Sequence, residues 1–142
     1  MKLQVQVHNT VANKLNLLEI ENIAKKVWLS EGKVDGHIEI ILVNDEYIRN
    51  LNKEYLKKNS ATDVIAFPLS EENEKSFEGE IYISLDTVKE QAIRYNVNLE
   101  EELLRMVIHG MLHFLGYDDK TTQNKKTMTN LENYFLSKHS KE

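Results

Sequence analysis

The chain contains no cysteine. Disulfides, thiolate nucleophiles and thiolate zinc sites are therefore excluded, and any metal has to be held by His, Asp or Glu. One proline and five glycines in 142 residues leave little punctuation for linkers, and neither an internal repeat nor a low-complexity tract is present. No run of 18 apolar residues occurs, and the opening MKLQVQVHNT alternates apolar with polar side chains instead of forming an export h-region. A cytoplasmic location with no membrane association is the expectation. Basic charge is not in excess either: 18 Lys and Arg stand against 23 Asp and Glu, a net charge of −5. That argues against a generally basic nucleic-acid coat and leaves room only for a local basic patch.

What is present is an ordinary globular balance, 41% hydrophobic and 29% charged, in a chain long enough to bury about 68–70% of its unfolded surface. A single domain over residues 1–142 is expected. Residues 3–8 alternate as a strand, and Leu17, Ile20, Ala24, Val27 and Trp28 then recur at helical spacing. A turn region follows at Gly32–Gly36, then a strand from His37 to Val43 and a helix opened by Asp45 that carries Ile48, Leu51, Asn52 and Tyr55. Val64 to Leu69 and Ile81 to Leu85 read as two further strands joined by a long polar loop that includes the acidic tract Glu71–Glu80. From Asp86 onward the pattern is helical. Asn98 and Glu101 form a capping-box pair before a helix carrying Leu103, Leu104, Val107, Ile108, Met111, Leu112 and Leu115, apolar nearly all round. Such a helix belongs in the centre of a domain, packed on a sheet, with Met106, Met111 and Phe114 as core residues.

Within that helix lies the stretch that carries chemistry, His109-Gly-Met-Leu-His113-Phe-Leu-Gly116-Tyr117-Asp118-Asp119. Histidines four apart share a helix face, with Cβ atoms roughly 5–6 Å apart, so both imidazoles can reach one ion. Gly116 permits a left-handed backbone at the helix end, and the chain can then fold back to offer Asp119 as a third ligand. Three protein ligands leave a fourth position open, the mark of a catalytic zinc-type site and not of a structural one. A core histidine pair with no ligand is the plain alternative; the glycine and the carboxylate at working positions weigh against it. His8, His37 and His139 lack such partners and are read as structural or exposed.

The spacing is that of the zinc endopeptidase motif HExxHxxGxxH. There the Glu after the first histidine is the general base; here that place is Gly110, which takes no proton. A phosphodiester depends more on charge neutralisation and a positioned nucleophile, and RNA brings its own 2′-hydroxyl. Phosphoryl chemistry fits the residues better than peptide hydrolysis.

Three stretches in order resemble the YbeY family of bacterial endoribonucleases over most of the chain. His109, Gly110, Leu112, His113, Gly116, Tyr117 and Asp118 match its HGxLHxxGYDH; Ile41-Leu-Val-Asn-Asp, Leu51-Asn52, Tyr55 and Thr62-Asp63-Val64-Ile65-Ala66-Phe67-Pro68 are similar to its LVxDxxIxxLNxxYxxxxxxTDVLSFP; Gly79-Glu80-Ile81-Tyr82-Ile83-Ser84 is similar to its GDIxIS. The resemblance implies an α+β fold with a small mixed four-stranded sheet, one zinc-type ion, single-stranded RNA as substrate, and work on small-subunit rRNA maturation and ribosome quality control. It implies the ribosomal small subunit as partner and no action on DNA. The chain departs from the family pattern twice. Asp119 stands where the family usually has a third His, a harder and more anionic ligand that opens the site to Mn²⁺ or Ni²⁺ as well as Zn²⁺. Leu56 stands where the family has an Arg, with Lys57 and Lys58 directly after it.

Lys57 and Lys58, with Lys53, read either as a solvated helix end or as a phosphate-tracking edge. The basic stretch 120–142, five Lys against two Glu, is a second candidate for that surface. Asp63 has two readings as well: a proton acceptor or orienter beside the metal helix, or a turn and cap residue. Beside the endoribonuclease stand two other classes, a metallopeptidase-like hydrolase without its base and a non-catalytic ribosome-assembly module around a structural ion.

Overall fold

A computed structural model describes residues 2–11, 14–31, 34–56, 62–71 and 75–140. In chain order the elements are β1 (Leu3–Asn9), α1 (Leu17–Glu31), β2 (Asp35–Val43), α2 (Asp45–Tyr55), β3 (Val64–Pro68), β4 (Ser76–Ser84), α3 (Leu85–Arg94), α4 (Leu99–Phe114) and α5 (Thr122–Ser140). The four strands form one mixed sheet in the order β1-β2-β4-β3. β1, β2 and β4 run parallel, and β3 lies antiparallel to β4 on the edge. The expected α+β class and four-stranded mixed sheet are what the chain forms.

Alternation along the strands sorts the two faces. Val5 pairs with Ile38, Ile40 with Ile81, and Leu42 with Ile83, and all of these are buried in one core with Ile23, Val27, Val107, Ile108 and Met111 from α1 and α4. The other face is largely polar, and α2 covers part of it through a smaller cluster of Val43, Ile48 and Ile65. His8 and His37 sit on that open face, where both bond the Glu39 carboxylate, His8 Nε2 at 2.6 Å and His37 Nε2 at 2.5 Å. His139 bonds Glu19 at 2.9 Å. All three are structural or surface histidines, as their sequence context implies.

Three boundaries differ from the sequence reading. β4 begins at Ser76, so the end of the acidic tract is strand and the loop after β3 is correspondingly shorter. Gly36 lies inside β2, in contact distance of Leu3 and Trp28, where no Cβ would fit without displacing Leu3 Cδ1 at 2.8 Å. Leu85 starts α3 instead of ending a strand.

α2 and α3 start side by side, where the adjacent strands β2 and β4 end. The Asp45 carboxylate accepts from Ser84 Oγ and, at 2.6 Å, from Thr87 Oγ1, while Asp86 accepts the Asp45 N–H at 3.0 Å. Each helix start thus supplies acceptors to the other, which satisfies donors that neither helix can satisfy alone. α4 is the buried element expected from its composition. Asn98 caps it by accepting the Glu101 N–H at 2.8 Å, and Leu103, Met106, Val107, Ile108, Met111 and Leu112 are all buried. Phe114 at its end is only partly buried, packed against Phe77 with ring centroids 4.8 Å apart and the rings tilted by 56°.

Candidate metal centre

α4 ends after Phe114 because Gly116 takes φ = +101°, a backbone that favours glycine. The reversal closes with Tyr117 N–H donating to Leu112 C=O at 3.0 Å and Gly116 N–H to His113 C=O at 3.1 Å. The Tyr117 hydroxyl then donates to Glu31 at 2.6 Å, tying the turn to the end of α1. This fixed turn carries Asp118 and Asp119 back toward the helix.

The two acidic residues do different things. Asp118 accepts Lys120 N–H at 3.0 Å and Asn124 Nδ2 at 2.9 Å; these two donors hold its carboxyl below the usual carboxylate range and make it the brace of the turn. Asp119 points to the histidines, its Oδ2 3.5 Å from His109 Nε2. The ring nitrogens His109 Nε2 and His113 Nε2 are 3.1 Å apart. Among the described residues, His109, His113 and Asp119 are the one His and carboxylate group whose donor atoms come together, all within 4.8 Å of one another. Bonds of 2.0–2.1 Å in a tetrahedral zinc-type site put ligand atoms roughly 3.3–3.4 Å apart, so the separations of 3.1 and 3.5 Å fit such an ion.

The residue that sequence reasoning missed is Glu132, on α5. Its Oε2 lies 2.7 Å from His109 Nδ1 and its Oε1 3.2 Å from Arg105 Nη1, and it is only 6% exposed. A carboxylate there accepts the Nδ1 proton and leaves the Nε2 lone pair directed at the other two donors. On His109 the orienting role that Asp63 was one candidate for therefore falls to Glu132. Burial alone would lower the His109 pKa, but the bond to Glu132 and the charges of Glu132, Asp63 and Asp119 outweigh it and hold it above the ordinary value. His113 is pushed the other way, first by burial and then by the charge of His109.

Asp63 stands at the start of β3, where it accepts Val64 N–H at 2.8 Å, Thr62 Oγ1 at 3.3 Å and Gln91 Nε2 at 2.9 Å. Those are the bonds of a cap residue, yet its position lines the same groove as the histidines. That groove, of about 1380 Å³, runs from the His109–His113–Asp119 group along β3 to Leu56 and Glu71. Lys57 and Lys58 lie outside the described residues; Lys53 is exposed on α2. A smaller groove of about 860 Å³ lies between α1, the start of α4 and α5, and contains neither member of the histidine pair.

Glu102, one turn before Met106, is 2% exposed and 3.9 Å from Arg105 Nε. Burial raises its pKa; Arg105 opposes this, and Glu132 and Asp63 add to it. An acid whose folded pKa lies above its unfolded one stabilises the fold least where it is ionised, so stability falls as pH rises from the unfolded value of about 4.3 through the raised one. Glu102→Gln is accordingly expected to melt higher than the parent at pH 7–8, with the gap closing toward pH 4; a gap that does not change with pH in thermal melts contradicts this.

The chain matches the family model described as Endoribonuclease YbeY over residues 3–140. It belongs to the YbeY endoribonuclease family. Within that family, Endoribonuclease YbeY of Chlorobium luteolum is 36% identical over 134 residues, covering 94% of this chain and 96% of its own. The protein of the same name from Aquifex aeolicus is 40% identical over 125 residues, covering 87% and 83%. A solution structure of a Thermotoga maritima protein superposes with a TM-score of 0.68 at 31% identity, covering 96% of this chain and 89% of its own. No helix among the described residues is long and apolar enough to cross a membrane.

Proposed function

We propose that this protein is a metal-dependent endoribonuclease that cuts single-stranded RNA in small-subunit rRNA maturation and ribosome quality control, working in the cytoplasm on the ribosomal small subunit and not on DNA. The observation that carries the reading is the group His109, His113 and Asp119 opening on a groove walled by the edge strand β3. An extended strand of RNA would lie along that groove, and family membership supplies the reaction class. A fourth protein donor, which would favour a purely structural ion, is not among the described residues that form the group.

His109, His113 and Asp119 would hold one zinc-type ion, Zn²⁺ first and Mn²⁺ or Ni²⁺ as alternatives admitted by the carboxylate. Such an ion supplies a Lewis-acid centre that draws charge from a phosphodiester oxygen. Everything else falls to the chain. Glu132 keeps the His109 proton on Nδ1, and the Tyr117–Glu31 bond keeps the turn bearing Asp119 in place. Asp63, on the same groove, is the assigned proton acceptor for the substrate hydroxyl, its orientation fixed by Val64, Thr62 and Gln91. Lys57 and Lys58, following α2, are assigned to the phosphates in place of the family's Arg.

The test joins metal analysis with cleavage of labelled single-stranded rRNA before and after chelation. Purified protein is expected to carry about one ion per chain and to lose cleavage on chelation. His109→Ala and His113→Ala should each lose the metal and at least about a hundredfold in cleavage, with melting curves that stay cooperative. Full activity in either variant overturns the site; RNA left intact by metal-loaded parent overturns the reaction.

A further inference from the structure

On α4, Arg105 lies one turn before His109, so both side chains leave the same face. Glu132, reaching across from α5, bridges them: one carboxylate oxygen takes Arg105 Nη1 at 3.2 Å, the other His109 Nδ1 at 2.7 Å. The carboxylate is nearly closed off from water, with its side chain 7% exposed, while Arg105 is 25% exposed and reaches the smaller groove between α1, α4 and α5. The terminal torsion of a glutamate is broad. What holds its plane is therefore the pair of partners, one on each oxygen.

We infer that Arg105 is a positioning residue for the metal centre: by holding Glu132 from behind, it fixes which nitrogen of His109 carries the proton and the angle at which Nε2 faces His113 and Asp119. The inference rests on the metal-site reading above, but its geometry stands without it. If Oε1 loses its partner, the carboxylate of Glu132 is free to rotate in a pocket that also contains the Glu102 carboxylate, itself close to Arg105 at 3.9 Å. The donor distance at Nδ1 then no longer has a single value, and the His109 proton is shared between the two ring nitrogens. A proton on Nε2 blocks that atom as a ligand. Hydrogen-bond partners of metal-bound histidines typically account for 10–100-fold in metal affinity. Arg105 stands one bond further back, and the expected loss is about tenfold.

Arg105→Met, Arg105→Lys and Glu132→Gln are compared with the parent in two measurements. In the metal-free proteins, held at alkaline pH so that the ring is neutral, ¹⁵N NMR of the imidazoles reads the His109 tautomer; zinc affinity is read by competition with a chelator. Proton on Nδ1 in the parent, a mixture in Arg105→Met, an intermediate state in Arg105→Lys and the largest change in Glu132→Gln are expected, with zinc affinity following in the same order. A role in stability alone would lower the melting temperature of Arg105→Met without moving the tautomer, and that result overturns the inference. So does zinc affinity equal to the parent's. If the parent itself takes no zinc, the metal reading fails, and the NMR comparison still decides whether Arg105 sets the tautomer. Should Arg105→Met not fold, Arg105→Lys against the parent carries both measurements, and an unchanged tautomer and affinity there, beside a changed tautomer in Glu132→Gln, counts against Arg105.

Discussion

A glutamate at position 110 is expected to unfold the protein and not to turn it into a peptidase. The histidine spacing invites the substitution, since HExxH differs from His109-Gly-Met-Leu-His113 at this one functional place. Yet position 110 faces the sheet. A Cβ there would meet Ile81 Cδ1 at 3.0 Å and Cγ2 at 3.1 Å, and Ile81 is 0% exposed, paired with Ile40 on one side and Ala66 on the other. The β-branched Ile81 side chain has little freedom to yield. Even Ala at 110 would set overpacking of about 1–3 kcal/mol against a helix-propensity gain of about 1 kcal/mol. Glu adds a carboxylate with no partner in an apolar layer, a cost of several kcal/mol against a total stability of about 5–15 kcal/mol. Circular dichroism should show the melting temperature of Gly110→Glu lowered by about 10 °C or more, or no cooperative transition at all. A folded variant with peptidase activity would restore the hydrolase reading that Gly110 counts against.

The second large effect concerns the pair of neighbouring acids. Asp119→Asn removes the anionic donor facing His109 Nε2 at 3.5 Å, and zinc affinity is expected to fall by about two orders of magnitude or more, beyond what an indirect partner accounts for. Asp118→Asn takes away the charge on the oxygen that accepts Lys120 N–H and Asn124 Nδ2 but keeps an amide oxygen there to accept both. It should leave zinc affinity within a few-fold of the parent and lower the melting temperature only slightly, because the turn stays braced through a neutral oxygen. Asp119→His replaces a hard oxygen with a borderline nitrogen, so retention of zinc against a chelator should rise and support of cleavage by Mn²⁺ should fall. The reverse pattern, an emptied site in Asp118→Asn and a full one in Asp119→Asn, would move the ligand assignment by one residue.

The histidine pair, the turn glycine and Asp119 were legible because their relation is local: eleven residues of one helix and its C-terminal reversal fix their spacing without knowledge of the fold. Glu132 was not. It lies on a different helix from His109, and no spacing rule links them. What marked it was quieter, an acid on the stripe Met128, Glu132, Phe135 that is buried on α5, where the i, i+4, i+7 pattern shows an apolar face with one charge set into it. The start of β4 was masked for a related reason. Phe77, Gly79 and Ile81 alternate with Glu78 and Glu80, a period of two, but the acids on the open face gave the segment the composition of a loop. Asp63, for which the sequence left a site role and a cap role open, lines the same groove as the histidines; its bond to Gln91 belongs to the tertiary structure and could not be read from the order of residues.

The parallel core of the sheet has a consequence for how the protein is made. β1, β2 and β4 pair across crossovers, and all four strands are complete at Ser84, whereas the helix that covers them through Val107, Ile108 and Met111 ends at Phe114. A ribosome adding about 5–20 residues per second needs about 1.5–6 s to deliver those 30 residues. Throughout that interval the apolar side of Ile38, Ile40, Ile81 and Ile83 has only α1 from the preceding chain to shield it. The four strands therefore have no complete core to fold around until α4 has followed them. The His109 environment is complete only with α5 and its Glu132, so a newly made chain should gain its affinity for an ion only as that helix settles.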